Sequence, residues 1–279
     1  MSELVVLNAS GNIARQVVSS HLRKHAGKYA SVKLVDARPY RQSVYNWQAT
    51  LGSSVGVKKC LARSVDALNL SMEGAEDVVY FTHDYVSMSS DKNSHLQAVA
   101  KLASKHGNNL VAVCPIESDY AYSEDDQSFL DKVNDAESAA LQSNSSMTLF
   151  KTNLTFGPES HLIHFLAQCA LVGKAPYSIF TQHDKLNFKY APIHVDDVAE
   201  AVGGALQDKA GSSGKYVLAG KELHNLGQIM TTLEKAASKS EGSTKGPMVP
   251  PMSFVWEFFF GTGNDQNLAR LVEFYESEH

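Results

Sequence analysis

The sequence is poor in cysteine, has no long apolar run, and carries no excess of basic charge. Its 279 residues include three cysteines, Cys60, Cys114 and Cys169. None has metal-ligand spacing and each lies in an apolar stretch, so they read as reduced core thiols of a reducing compartment. No stretch approaches the ~20 apolar residues needed to cross a bilayer. The richest, Phe254 to Phe260, is short and contains Glu257. A net charge of −5 without a basic cluster argues against nucleic acid as a partner. Acidic residues are missing from Leu4 to Val35, where Arg15, Arg23, Lys24, Lys28 and Lys33 stand. Such a stretch resembles a mitochondrial targeting helix; a solvated helix face beside a phosphate site has the same pattern. Strand character begins at about residue 3, so no cleavable signal is expected.

The hydrophobic share, 43%, suffices for one large core with a smaller lobe. Short apolar runs alternate with helical spacing. Strands are expected at Glu3–Leu7, Val32–Val35, Val55–Ala62, Asp77–Thr82, Leu110–Cys114 and Met147–Lys151. Between them, His95–His106 and Gln127–Gln142 have helical periodicity, and Gly107-Asn108-Asn109 closes the first of these helices. Later expectations are helices at His161–Val172 and Asn225–Ser238, a short strand before a helix capped by Asp196 or Asp197 and running to Leu206, and a strand at Gly214–Leu218. The expected fold is α/β: a Rossmann-type doubly wound parallel sheet with a small C-terminal α/β lobe. Residues 1–155 are expected to form the Rossmann-type domain, with core strands continuing to about 200, and residues 156–279 the lobe with aromatic-rich terminal helices. Its aromatic tail, from Phe254 to Phe260, is either core or a face for a partner subunit.

The first strand runs into Asn8-Ala9-Ser10-Gly11-Asn12-Ile13-Ala14, the outline of a dinucleotide-binding strand–turn–helix with its glycines eroded. Asn8 holds the sharp-turn position and tolerates positive φ better than most residues. Gly11 lets backbone approach a phosphate, and Ala14 is small enough for helix–strand packing. An ordinary strand–helix turn is the alternative. Histidines His161, His164 and His183 with Asp184 fit no standard metal spacing, so no metal is expected.

Three further segments occur in a telling order: Lys151-Thr152-Asn153-Leu154-Thr155-Phe156-Gly157-Pro158, Ala191-Pro192-Ile193-His194-Val195-Asp196-Asp197-Val198-Ala199, and Gly214-Lys215-Tyr216-Val217-Leu218. With the N-terminal turn they resemble an atypical extended short-chain dehydrogenase/reductase over residues ~3 to ~240. Val249-Pro250-Pro251, an aromatic helix and Asn267-Leu268-Ala269-Arg270-Leu271-Val272 narrow the likeness to the nucleotide-binding accessory subunits of mitochondrial respiratory complex I.

Active members of that family use a Tyr-x-x-x-Lys pair on one helix face, tyrosine as acid/base and lysine to lower its pKa. No such pair stands in the corresponding region here; its positions fall on Phe129 and Val133. Tyr122, Lys132 and Ser118 remain as weak catalytic candidates, Tyr122 or Tyr120 with Lys132 as an irregular pair. The resemblance implies cofactor contacts from Asn8, Ser10, Gly11, Asn12, Ile13, Asp36, Arg38, Thr82, His83 and Asn153. Asp36 favours NAD(H) through ribose hydroxyls, and Arg38 with Arg41 favours the 2′-phosphate of NADP(H). NADP(H) is the preferred expectation and NAD(H) the alternative. The implied role is a non-catalytic accessory subunit in which nucleotide braces the fold. Its partners would be other subunits of a respiratory membrane complex, peripheral to the membrane on the mitochondrial matrix side, with no transmembrane segment of its own. The alternatives are a cytoplasmic location, an active NADPH-dependent reductase or epimerase, and a soluble NADP(H)-sensing regulator.

Overall fold

A computed structural model describes residues 2–9, 11–25, 28–36, 55–62, 64–82, 91–115, 124–157, 190–209, 211–225, 228–229, 231–232 and 235–236. Of residues 12, 91–94, 115, 124–130 and 132–133 it describes the backbone alone. The chain divides into two compact units, Met1–Thr155 with Ile193–Ala219, and Phe156–Pro192 with Gly220–His279.

The first unit is a parallel sheet. Its strands are β1 (Ser2–Leu7), β2 (Tyr29–Asp36), β3 (Gly56–Leu61), β4 (Asp77–Phe81), β5 (Asn109–Pro115), β6 (Thr148–Thr152) and β9 (Gly214–Leu218). They are arranged β3-β2-β1-β4-β5-β6-β9, so the direction of chain progress reverses between β1 and β4. Strands β7 (Thr155–Phe156) and β8 (Ile193–His194) pair separately. Every residue of β4 is buried, as expected of a parallel strand covered on both faces.

Alternation along β1 divides the core into two layers. Leu4 and Val6 pack with Val17, Val18 and Leu22 of α1 (Asn12–His25) and with Val198 and Val202 of α5 (Val195–Gln207). Val5 and Leu7 join the opposite layer, with α2 (Val65–Met72), α3 (Asp91–His106) and α4 (Glu124–Ser143) through Leu68, Met72, Leu96, Val99 and Ala140. These five helices and the parallel sheet are the expected doubly wound α/β arrangement.

Several boundaries differ from the sequence expectation for physical reasons. Strand β2 extends past Val32–Val35 at both ends because pairing with β1 reaches back to Tyr29 and pairing with β3 reaches on to Asp36; Lys33 within it is neutralised by Glu3 at 2.9 Å and donates to Ser71 O. Helix α2 was not expected. It is short, and exposed Val65 and Leu70 blur its periodicity. Its signal is Ser64, whose hydroxyl accepts the Ala67 N–H at 3.2 Å as an N-cap, with Asp66 in the first turn. The cap of α5 is also corrected. His194 Nδ1 accepts the Asp196 N–H at 3.2 Å, while Asp196 and Asp197 lie inside the first turn, where carboxylates favour the helix dipole. Gly107 ends α3 at φ +68°, and Asn108 N–H reaches back to Ala103 O at 2.9 Å, as a glycine-terminated helix requires.

The amino end of the sheet holds a buried charge cluster. Asp77, the first residue of β4, is fully buried, and its carboxylate meets Lys28 at 2.8 Å and Lys209 at 3.2 Å. Tyr29 OH and Asn109 Nδ2 donate to it at 2.8 and 3.0 Å. Lys28 also donates to Leu206 O, tying the end of α5 into the cluster.

In the second unit, Tyr190 and His224 exchange backbone hydrogen bonds of 2.7 Å. Asn225 and Gln228 cap each other reciprocally, each side-chain oxygen accepting the other's N–H. Residues 228–229, 231–232 and 235–236 are helical. The helix expected at His161–Val172, Cys169, the histidines His161, His164 and His183, Asp184 and the aromatic tail lie outside the described residues.

Candidate functional site

In an open parallel sheet, the crevice outside the carboxyl ends of the strands opens where strand order reverses. Here that point lies between β1 and β4. Leu7 ends β1, and the chain turns at Asn8 with φ +59°, the one positive-φ non-glycine residue among those described. Asn8 N–H donates to Val35 O of β2 at 2.8 Å, and Asn8 Nδ2 donates to Phe81 O of β4 at 2.8 Å. Gly11 N–H returns to Asn8 O at 3.5 Å, and α1 starts immediately after.

Gly11 is not demanded by its own fold. A Cβ there would meet, among described atoms, Asn8 O at 3.8 Å, an ordinary contact. Ala14 is buried at the α1–sheet contact, where a small residue allows close packing. Ile13 is partly buried against the same layer.

Asp36 ends β2 beside this turn. It is 5% exposed, and its backbone oxygen accepts the Ala62 N–H at 3.1 Å. Thr82 follows β4; its N–H and hydroxyl both reach Val113 O, at 2.9 and 3.4 Å. The topology therefore gathers Asn8, Gly11, Ile13, Asp36 and Thr82 at the carboxyl ends of β1, β2 and β4. Asn12 is there as backbone. Asn153 is not part of this group. It follows β6, three strands from β1, or about 14 Å at the usual spacing. Its N–H donates to Leu218 O and its Oδ1 accepts the Leu154 N–H. Ser10, Arg38, Arg41 and His83 lie outside the described residues, as do Tyr120, Tyr122 and Ser118.

Phe129, Lys132 and Val133 lie on α4, described as backbone. One turn beyond Val133, on the same helix face, Glu137 is buried and pairs with Lys151 of β6, itself 6% exposed. Lys215 Nζ of β9 stands 2.7 Å from the other carboxylate oxygen, off the hydrogen-bond direction. Sequence reasoning missed this cluster. Its signal was a lysine in an otherwise apolar strand, Met147-Thr148-Leu149-Phe150-Lys151, which calls for a buried counter-ion.

Among the described residues, no group of three His, Cys, Asp or Glu is placed to hold a metal ion. No helix among them is long and apolar enough to cross a membrane.

No known protein family matches the chain by sequence, and no curated protein does. Solved structures match it in fold. MoeE5 in complex with UDP-glucose and NAD is similar at 15% identity, with a TM-score of 0.60 over 85% of this chain and 82% of its own. The NADPH-dependent quinone oxidoreductase QOR2 from Escherichia coli, complexed with NADPH, is similar at 16% identity and TM-score 0.60, covering 99% of this chain and 89% of its own. The UDP-N-acetylglucosamine 4-epimerase from Bacillus cereus is 13% identical, with a TM-score of 0.58 over 99% of this chain and 96% of its own. At these identities the likeness is one of fold.

Proposed function

We propose that the chain binds an NAD(P)(H) dinucleotide at the carboxyl end of its sheet and uses it as a structural brace, without redox chemistry of its own. The carrying observation is the left-handed turn at Asn8, set where strand order reverses and beside the buried Asp36. The neighbours solved with NAD and with NADPH support a dinucleotide as the ligand.

The residues fit such a ligand. Gly11 puts no side chain between its backbone and a phosphate, and the amino end of α1 offers N–H groups and a positive dipole to it. Asp36 would take ribose hydroxyls, and Arg38 beside it in sequence would take a 2′-phosphate, which favours NADP(H). A bound nicotinamide supplies hydride chemistry. By the resemblance, the Tyr-x-x-x-Lys positions that supply the proton in active members fall on Phe129 and Val133, which cannot ionise, and leave Tyr122 or Tyr120 with Lys132 as the irregular alternative. A ligand confined to the folded state stabilises by about 2.7 kcal/mol at a hundred times its Kd. The proposed partners are other subunits of a respiratory membrane complex on the mitochondrial matrix side. That part of the reading is supported by the resemblance of the C-terminal pattern.

Native mass spectrometry of the purified protein, followed by denaturation, tests the ligand. Released NADP(H) or NAD(H) is expected, with blank hydride-transfer assays and co-purification with a membrane complex. An empty protein that ignores added nucleotide overturns the proposal. A second reading, an active reductase or epimerase, is favoured by the fold shared with the quinone oxidoreductase and the 4-epimerase. NADPH-dependent turnover of a carbonyl substrate, lost in Tyr122→Phe, would establish it and remove the brace.

A further inference from the structure

Asn8 makes a contact that the glycine usual at this position cannot make. Leu7 pairs with Tyr80 of β4 and with Val35 of β2, so the next position of β1 falls opposite Phe81. At that position the backbone has already turned away, with φ +59°. The Phe81 carbonyl instead receives the side-chain amide of Asn8 at 2.8 Å. The same residue's backbone N–H is bonded to Val35 O on the other neighbouring strand. One residue thus closes the ladder on both sides of β1 while its main chain leaves the sheet.

We infer that Asn8 is the positioning residue of the nucleotide turn: its side-chain amide stands in for the missing backbone rung and holds the turn in the left-handed conformation. The inference rests on the nucleotide reading above and adds to it how the site survives loss of the first glycine. Two properties combine here: tolerance of positive φ, which sets the turn's shape for a ligand, and a donor aimed at Phe81 O, which stabilises that shape. Asn has both. Gly has the first alone. Asp tolerates positive φ but supplies a carboxylate in place of the donor, facing a carbonyl and close to where phosphate would lie. Ala has neither.

The test compares Asn8→Gly, Asn8→Asp and Asn8→Ala in the full chain by three readouts: thermal midpoint, affinity for NADPH and for NADH, and amide hydrogen exchange at residues 5–15. All three variants are expected to melt lower than the parent. Affinity separates them. Asn8→Gly should stay within about threefold of the parent, while Asn8→Asp and Asn8→Ala should lose at least about tenfold, one decade per ~1.4 kcal/mol. Exchange of the residue-8 N–H should accelerate at least about tenfold in Asn8→Ala. Equal affinity in all folded variants would mean that Asn8 only stabilises, and overturns the inference. Loss in Asn8→Gly as large as in Asn8→Ala would make Asn8 a ligand contact and also overturns it. If the parent binds neither nucleotide, the nucleotide reading fails, and the exchange rate alone decides whether Asn8 holds the turn: acceleration supports it, an unchanged rate removes it.

Discussion

Tyr29 donates its hydroxyl to Asp77 Oδ2 at 2.8 Å, and the bond joins the first residues of two strands that do not pair. Strand β1 lies between them, so the phenol reaches across it. Burial and the adjacent carboxylate push the Tyr29 hydroxyl far above its usual titration range. Burial alone would raise Asp77; the donors Lys28, Asn109 and Tyr29 outweigh it and hold the carboxyl below its ordinary value.

Asp77→Ala should therefore cost about 2 to 4 kcal/mol in urea unfolding, since it leaves the Tyr29 hydroxyl and the Asn109 amide without their acceptor, while Lys28 keeps Leu206 O and Lys209 keeps Glu76. Tyr29→Phe removes one donor from an otherwise satisfied carboxylate and should cost about 1 kcal/mol. Equal losses in the two variants would show that the tyrosine, not the carboxylate, organises the cluster.

The pH profile has a separate origin in His21. It is 3% exposed, neither ring nitrogen has a hydrogen-bond partner among the described residues, and burial, with His25 and Lys28 nearby, lowers its pKa to about 4. The unfolded chain takes up a proton near pH 6.5, which the folded chain refuses until about pH 4. Stability from this group is thus present above pH 6.5 and is lost as pH falls through that window, up to about 3 kcal/mol. His21→Leu should flatten the profile between pH 6.5 and 4; an unchanged slope assigns the acid sensitivity elsewhere.

Two adjacent glycines of α5 should respond with opposite signs. A Cβ at Gly204 meets no described atom within 4 Å, so Gly204→Ala should stabilise by up to about 1 kcal/mol through helix propensity. A Cβ at Gly203 would stand 3.0 Å from His21 Nδ1 on α1, so Gly203→Ala should cancel that gain or destabilise by about 1 kcal/mol. Thermal melts of the two variants suffice, and equal shifts would refute the α1–α5 contact.

Lys151→Met should cost about 3 kcal/mol by leaving the Glu137 carboxylate buried with Lys215 off-axis. Adding Glu137→Leu should recover much of the loss. A double-mutant cycle reads the coupling directly, and strict additivity would remove the pair as an energetic link between α4 and β6.

The sheet and its helices could be read from sequence because apolar runs and helical spacing alternate cleanly in the β4 to β6 region. The turn at Asn8 was legible for the same local reason. What escaped was non-local or short. Helix α2 is too brief to establish a period, and its Ser64 cap is the one clear mark. Lys151 and Lys33 fall inside strands the sequence shows, but their counter-ions, Glu137 and Glu3, come from other segments of the chain. The cap at His194 uses an imidazole where an aspartate is the usual choice. Sequence cannot show that Asn153 sits three strands from the turn, because strand order appears only once the sheet is assembled.

The packing of α1 against α5 also constrains the order of events during synthesis. Leu4 and Val6 emerge first, but the layer that covers them is completed by Val198 and Val202, and Leu206 O anchors Lys28 only when α5 exists. A nascent chain released before Val195–Gln207 would present an uncovered apolar sheet face. Contacts of such long sequence separation fold slowly and leave sticky intermediates. Chaperone demand should therefore be set by the time taken to reach α5, the helix that completes the cover over the first strand.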